Sequence, residues 1–288
     1  MKHHDFLFLR LLLLLMAATM YSQQITAQYY YHDILLTIQN QQEQQLYKKS
    51  KITRVKLLSY ESNGSPSESF TCEIVPQDNY TRLTTFTQTD FSDASLLTAF
   101  FSPEEKLLRT IDSTREMLNT YEYRYDADGR LLSAVNEATD KTGNNKQTEV
   151  HEWVYAPNGC PLNMHRIRNT TDTTEVKFLC DSLGNVIEEV SSQHHIQKES
   201  FYYYYDDRSR LTDVVRYHSR LEKLLPDYMF EYNDQDQIIQ MTEVLQGGAD
   251  YLLWKYEYGE DGLKTTASCF DKQKRLVGRI VYQYSRSK

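Results

Sequence analysis

The sequence contains none of the short motifs that usually reveal an enzyme. It has no Gly-x-Ser-x-Gly nucleophile turn, no phosphate-binding glycine loop and no His-Glu-x-x-His metal motif. Each of these motifs carries a defined chemistry, so their absence removes the common hydrolase, nucleotide-binding and metalloprotease classes. We therefore expect a non-enzymatic protein with no catalytic residue and no cofactor. A hydrolase whose carboxylates come from separate strands needs no local motif and is the remaining enzymatic alternative.

Cysteine and histidine are too scattered for a recognisable metal site. The four cysteines, which lack Cys-x-x-Cys spacing, are Cys72, Cys160, Cys180 and Cys269. Zinc sites combine cysteine and histidine at short, regular spacings, and that pattern is missing. His151-Glu152 and His194-His195 are expected on the surface or in loops, because neighbouring strand residues point to opposite faces. The carboxylates of Asp126-Ala127-Asp128-Gly129 lack the glycine position and the distant glutamate of a calcium loop. We predict no metal.

An excess of basic residues is also missing. The chain has 32 Lys and Arg against 40 Asp and Glu, a formal net charge of −8. Residues 1–27 contain Lys2, Arg10 and Asp5, a net +1, so the remainder carries −9. An acidic protein without a basic stripe is a poor match for the phosphate backbone. We expect no nucleic-acid partner.

No apolar run reaches the ~20 residues of a membrane-spanning helix. The short run Leu11–Met16 follows the basic residues Lys2 and Arg10 and precedes small residues, which is typical of an export signal. Cleavage is expected after Ala27, with Ser22 as an alternative site, and a buried N-terminal helix is the alternative interpretation.

This arrangement predicts a signal peptide over residues 1–27. No cysteine adjoins either cleavage site, so a lipid anchor is not expected. Without a transmembrane segment, the mature chain is expected in the periplasm or on the outer surface of a Gram-negative bacterium.

One motif recurs along the chain and is most complete at Tyr125-Asp126-Ala127-Asp128-Gly129-Arg130-Leu131. Related segments start at nine positions: Tyr60, Phe101, Tyr125, Tyr155, Cys180, Tyr205, Tyr232, Tyr258 and Phe270. Five of the ten glycines stand four residues after a start: Gly64, Gly129, Gly159, Gly184 and Gly262. Most starts are 24 to 30 residues apart, a unit that accommodates two strands and two turns.

The motif predicts a strand, a tight turn and a second strand. An aspartate after the aromatic can accept backbone N–H groups and begin the turn. The glycine then adopts the left-handed conformation that a short hairpin loop requires, and Ser209 and Asp236 replace it in two copies. The residues to which we assign this structural role are Tyr125, Asp126, Gly129, Tyr155, Gly159, Asp181, Gly184, Tyr205, Asp206, Tyr232 and Gly262.

Two copies carry a family resemblance. Residues 123–132, Tyr-Arg-Tyr-Asp-Ala-Asp-Gly-Arg-Leu-Leu, resemble the YD repeat of Rhs-type bacterial proteins. Residues 201–211 are similar but lack the glycine, and Cys180 and Pro161 depart from the pattern. The resemblance implies an all-β fold over residues 51–288, an antiparallel meander of repeated β-hairpins forming an extended, open or spiralling sheet. It implies an extracytoplasmic setting and transfers no catalytic residue.

Irregular spacings predict two further features of the meander. The first gap of 41 residues hides a degenerate hairpin near Asn79, and the last gap of 12 corresponds to one extra hairpin. Residues 28–50 form a polar leader in which Asp33 could cap a short helix. Its apolar residues are Ile34, Leu35, Ile38 and Leu46.

Two further sets of residues are candidate structural or binding features. Four cysteines allow three full pairings, and a hairpin over residues 160–180 would place Cys160 and Cys180 almost opposite each other. Cross-strand Cβ atoms lie ~4.5–5.5 Å apart, which a disulfide can bridge. The aromatic run Phe201–Tyr205 could instead form a cross-strand ladder or a binding face, with Tyr203 and Tyr204 as the candidate binding residues.

These observations lead to a functional hypothesis with alternatives. We expect an exported β-repeat protein that acts as a binding or scaffolding component of a bacterial envelope or surface assembly, with another envelope protein as its partner. An open sheet would offer unpaired edges to that partner. One alternative is an accessory periplasmic subunit of an outer-membrane secretion machine, and another is a carbohydrate-binding module using exposed tyrosines.

Overall fold

The computed structural model describes residues 29–89, 92–219, 221–245 and 250–287. The expected signal peptide therefore lies outside the described residues. The described residues form one helix, α1 (His32–Lys49), and eighteen strands. The strands are β1 (Ile52–Glu61), β2 (Thr71–Gln77), β3 (Arg82–Thr89), β4 (Ser92–Phe101), β5 (Leu107–Ser113), β6 (Met117–Tyr125), β7 (Leu131–Asp140), β8 (Lys146–Tyr155), β9 (Pro161–Arg168), β10 (Asp172–Cys180), β11 (Val186–Gln193), β12 (Ile196–Tyr205), β13 (Leu211–His218), β14 (Lys223–Tyr232), β15 (Ile238–Val244), β16 (Tyr251–Tyr258), β17 (Lys264–Asp271) and β18 (Leu276–Arg286).

The strands form a closed barrel. Each strand pairs antiparallel with the next, and β18 pairs antiparallel with β1 from Ile52↔Arg286 to Glu61↔Gly278. The predicted antiparallel meander is confirmed, but the expectation of an open or spiralling sheet is wrong. An even number of strands in a meander brings the first and last together antiparallel, and their pairing removes both free edges.

The core lies inside the barrel and is largely aromatic. Side chains alternate along each strand, so Tyr123 of β6 faces inward and is 6% exposed, while Glu122 and Arg124 face outward. Inward-facing Trp153 and Trp254 are equally well covered. The alternation of aromatic and charged residues in the sequence thus separates the core from the outer wall.

Most motif turns lie at one end of the barrel, which we call the motif end. In β6–β7 the carboxylate of Asp126 accepts the backbone N–H groups of Asp128 and Arg130 at 3.0 and 2.9 Å. Gly129 has φ +77°, a conformation that costs a residue with a Cβ atom. A bulge follows, because Tyr125 pairs with Leu131 while Arg124 pairs with Ser133.

Two turns at irregular spacings explain how the barrel closes. The hairpin β2–β3 turns at Asp78–Tyr80, within the gap of 41 residues. The turn at Asp271–Arg275 joins β17 to β18 at the opposite end from the motif end, which we call the far end. Because of this extra turn, β18 runs antiparallel to β1 and pairs with it.

The helix lies inside the barrel near the motif end. It contacts the β2–β3 turn, the β4–β5 turn, β8 and β18, which surround the barrel axis. Its fully buried residues are Asp33, Thr37, Gln44 and Tyr47, whereas Ile38 is 45% exposed. Ile34 and Leu46 are partly buried against the core. Asp33 does not cap the helix, because the N-cap is Tyr31 and the Asp33 carboxylate binds the barrel wall.

Candidate functional site: the barrel interior and its plug

Tyrosines at the start of the motif fasten each repeat to the preceding one. Five of them, and Tyr284 one repeat length after Tyr258, donate a hydroxyl hydrogen bond of 2.7–2.9 Å to the carbonyl group that stands six residues after the start of the preceding repeat. The pairs are Tyr125 to Leu107, Tyr155 to Leu131, Tyr205 to Val186, Tyr232 to Leu211, Tyr258 to Ile238 and Tyr284 to Lys264. These bonds close the motif end of six hairpins that turn at the far end: β5–β6, β7–β8, β11–β12, β13–β14, β15–β16 and β17–β18.

Basic residues of the motif cover the same tyrosines. The guanidinium of Arg130 lies 5.1 Å from the ring centre of Tyr155, and that of Arg210 lies 4.9 Å from Tyr232. Each arginine also donates to the aspartate of its own turn, as Arg210 does to Asp206 at 2.7 Å. One motif thus orders its own turn and packs on the next repeat.

One hairpin is closed by a covalent bond instead. Cys180 stands where the repeats with a hydroxyl bond have tyrosine, and it forms a disulfide with Cys160, with a Cα–Cα distance of 6.2 Å. In those repeats the tyrosine binds the carbonyl group six residues after the preceding start. Here that residue would be Pro161, which is next to Cys160. The disulfide therefore takes the place of a tyrosine hydrogen bond at the motif end of β9–β10.

The N-terminal segment Tyr29–Lys49, which we call the plug, is held by two polar anchors. In the first anchor, the Glu189 carboxylate of β11 accepts the backbone N–H groups of Tyr30 and Tyr31 at 2.8 and 2.9 Å. It also accepts the hydroxyl of Tyr203 at 2.7 Å. Burial raises the pKa of Glu189 to about 7, and the three hydrogen bonds only partly offset that effect.

The second anchor is a chain of charges from the plug to the wall. His151 Nδ1 lies 2.5 Å from Asp33 Oδ2, and His151 Nε2 lies 3.0 Å from Glu149 Oε1. Arg166 of β9 donates to the other Glu149 oxygen at 2.8–2.9 Å. Burial opposes the charge on His151, but the Asp33 and Glu149 carboxylates outweigh it and raise its pKa to about 9. Glu149 is also partly desolvated, yet His151 and Arg166 hold its pKa at about 2.

Aromatic packing and further hydrogen bonds complete the seat of the plug. The ring of Tyr29 lies 5.9–6.1 Å from the rings of Phe201, Tyr203 and Tyr228. At the other end of the plug, Gln44 donates to the Tyr80 carbonyl at 2.9 Å and Lys48 pairs with Glu105. The plug is thus bound along its whole length, and the acids and bases of its anchors are engaged in holding it.

The structure separates the two tyrosines predicted to bind ligands. Tyr203 is 2% exposed and faces the interior, so it is not available as a surface platform, whereas Tyr204 is 48% exposed on the outer wall. Adjacent strand residues point to opposite sides, which explains the separation. The expectation that His151 lies on the surface is also wrong, because it is 6% exposed on β8.

Sequence reasoning missed the anchor residues and one repeat tyrosine. Glu189 and His151 stand on strands with buried neighbours two positions away, which is the one local signal that could have placed them inside. Tyr284 stands 26 residues after Tyr258, a normal repeat spacing, but no turn motif follows it. Within the described ranges, no group of three His, Cys, Asp or Glu side chains could hold a metal ion. No helix in the described part of the chain is long and apolar enough to span a membrane.

Comparison with known proteins gives distant structural neighbours. No family model and no curated protein sequence matches the chain. A structure of TcdB2-TccC3-TEV shares 12% identity at a TM-score of 0.35, covering 75% of this chain and 12% of that one. Porin-like proteins from Bacteroides uniformis ATCC 8492 and Bacteroides vulgatus ATCC 8482 share 9% and 10% identity at TM-scores of 0.42 and 0.21. Each alignment covers 82% of this chain, and the two alignments cover 97% and 99% of the respective porin-like chains. These values are too low to inform function.

Proposed function

We propose that this chain is an exported, non-enzymatic protein of the YD-repeat type that acts as a binding or scaffolding component of a bacterial envelope or surface assembly. The observation that carries the proposal is the barrel interior. It is taken up by aromatic side chains and by the plug, whose Asp33 and Lys48 form ion pairs with His151 and Glu105. An interior filled in this way leaves the outer wall and the two ends for recognition.

Closure of the barrel changes how a partner would bind. The pairing of β1 with β18 removes the edges that an open sheet would have offered. The outer wall near the motif end instead carries exposed apolar side chains on β8, β9, β10 and β12 and in the β10–β11 turn. They are Val154, Leu162, Leu179, Leu183 and Tyr204, which are 43–77% exposed. Apolar residues clustered on a surface support a protein partner, including a subunit of an outer-membrane secretion machine.

In-cell crosslinking tests this proposal. A photo-crosslinking amino acid replaces Leu179, which is 54% exposed, or as a matched control Leu224, which is 47% exposed on β14. After irradiation, capture through a C-terminal tag is followed by mass spectrometry. We expect a defined envelope complex from position 179 and not from position 224. Recovery of the protein alone from both positions would contradict the scaffold proposal.

A carbohydrate-binding role is the second candidate, and the exposure of Tyr204 favours it. A tyrosine ring on the outer wall can stack on a sugar, whereas Tyr203 is enclosed and holds Glu189. On a glycan array, binding should therefore be lost in Tyr204→Ala and kept in Tyr204→Phe, which retains the aromatic ring. Absence of any glycan signal for the wild type would dismiss this candidate.

A further inference from the structure

The hairpin β9–β10 is held at its motif end by a different bond from its neighbours. Its backbone pairing ends at Lys177↔Asn163, three residues before Cys180. In β5–β6 the pairing likewise ends at Arg109↔Glu122, three residues before Tyr125. Beyond these points a tyrosine hydroxyl bond holds β5–β6 and five other hairpins together, whereas β9–β10 depends on the disulfide.

This hairpin lies between the two anchors of the plug. Arg166 of the second anchor belongs to β9 and binds Glu149 of β8. Glu189 of the first anchor belongs to β11, which pairs with β10. The hairpin β9–β10 thus lies between the two anchors: Glu189 pairs with Phe178, just beyond the last backbone pair, whereas Arg166 pairs with Thr174 inside the paired part. A separation of β9 and β10 beyond that pair would move the first anchor relative to the second.

We propose that the Cys160–Cys180 disulfide is a redox latch that locks the plug in the barrel. With the bond formed, β9 and β10 are held together and the two anchors keep their spacing. With the bond reduced, the unpaired ends of β9 and β10 separate and the plug loosens. This rests on the proposed export of the chain, since export would bring it to a compartment that permits disulfides.

The chemical step is a thiol–disulfide exchange with a disulfide oxidant. The two thiols give up two electrons and two protons, the Cys160–Cys180 bond forms, and the oxidant becomes a dithiol. A dithiol or phosphine reductant reverses the step. Cys180 is partly exposed, so reagents can reach the bond. Burial raises the pKa of the Cys269 thiol to about 12 and that of Cys72 to about 11, which keeps both protonated and unreactive.

Hydrogen–deuterium exchange with mass spectrometry tests the latch on the full purified chain. On addition of a phosphine reductant, amide exchange in the plug should accelerate about tenfold or more, because a disulfide over this span contributes substantially to local stability. Peptides of β13–β14, whose motif end is closed by Tyr232, serve as the internal reference and should not change.

Two double variants separate the bond from other effects of the reductant. Cys160→Ala with Cys180→Tyr replaces the disulfide by the tyrosine of the other repeats, and its plug should exchange slowly with or without reductant. Cys160→Ser with Cys180→Ser should exchange as fast as the reduced wild type. Mass measurement confirms the reduction itself.

Three results would overturn the latch. They are unchanged plug exchange in verified reduced wild type, an equal acceleration in the reference peptides, or an equal response in the Cys160→Ala and Cys180→Tyr variant. None of these readouts requires a partner, so failure of the crosslinking experiment leaves the latch intact, and failure of the latch leaves the scaffold proposal intact.

Discussion

Tyr205 donates its hydroxyl to the carbonyl oxygen of Val186 at 2.9 Å, joining two consecutive repeats across 19 residues. Five further tyrosines make the same bond at the same place in their repeats. The opening tyrosine of the motif is therefore more than a core residue, because its hydroxyl holds β12 to β11 at the motif end, beyond the last backbone pair Glu188↔Tyr202.

Removing this hydroxyl should destabilise the protein. We expect Tyr205→Phe to lower the free energy of unfolding by about 0.5–1.5 kcal/mol, the usual net contribution of one hydrogen bond. Tyr204→Phe is the matched control, because that neighbouring ring is half exposed and should change stability little. Urea unfolding of both variants measures the difference, and equal stabilities would refute the role of the hydroxyl.

Replacing a strained turn residue by glycine should stabilise the chain. Ser209 has φ +58°, at the position where the complete motif has glycine. A glycine adopts this left-handed conformation without the steric cost that serine has, although it also makes the unfolded chain more flexible. The net effect of Ser209→Gly should be to raise the free energy of unfolding by about 0.5–1 kcal/mol. Gly159→Ala is the reverse test: an added Cβ would meet no atom within 4 Å, so its cost would come from the backbone alone.

The first anchor should make stability depend on pH on the acidic side of neutrality. The pKa of Glu189 is raised by burial to about 7, above its ordinary value of 4.5. Glu189 therefore binds its proton more tightly in the folded protein than in the unfolded chain. The stabilisation that this gives the folded state is complete below about pH 4.5 and is lost as the pH rises through 7. Glu189→Gln cannot titrate and should remove this part of the pH dependence. Thermal midpoints between pH 4.5 and 8 for both proteins test this, and identical pH profiles would contradict it.

The second anchor should lose strength at alkaline pH. The pKa of His151 is raised from 6.5 to about 9 because the Asp33 and Glu149 carboxylates outweigh burial. The stabilisation is complete below about pH 6.5 and is lost as the pH rises through 9. In Asp33→Asn the imidazolium loses its partner on the plug, so that loss should begin at lower pH. Hydrogen exchange of the plug between pH 6.5 and 9.5, corrected for intrinsic rates, distinguishes the two proteins.

What could be predicted from the sequence was local. The turn at Asp126–Gly129 depends on residues within one hairpin, and the alternation in β6 depends on residues two apart, so both are visible in a short window. Closure is not, because it depends on the summed curvature of eighteen strands and on the pairing of Ile52 with Arg286. The contact of His151 with Asp33 spans 118 residues and has no local signature.

The polar helix shows a second limit. Its apolar residues in the sequence are Ile34, Leu35, Ile38 and Leu46. Ile34 and Leu46 do pack against the core, but Ile38 is exposed while Asp33 and Gln44 are buried. The barrel interior has its own imidazole and carbonyl groups, so Asp33 can be buried against His151 and the Gln44 amide can donate to the Tyr80 carbonyl. No pattern within the helix alone could have indicated those partners.

The most direct test of this account is whether the barrel closes, since closure is what leaves recognition to the outer wall. Lys56 and Gln283 are exposed cross-strand partners on β1 and β18. Cysteines at such positions lie within ~4.5–5.5 Å between Cβ atoms and can form a disulfide. The account predicts that Lys56→Cys with Gln283→Cys forms an intramolecular bond, seen by peptide mapping under non-reducing conditions, while Lys56→Cys with Gln240→Cys does not. Unlinked thiols at both engineered positions, 56 and 283, would show that β1 and β18 are apart and that the sheet is open.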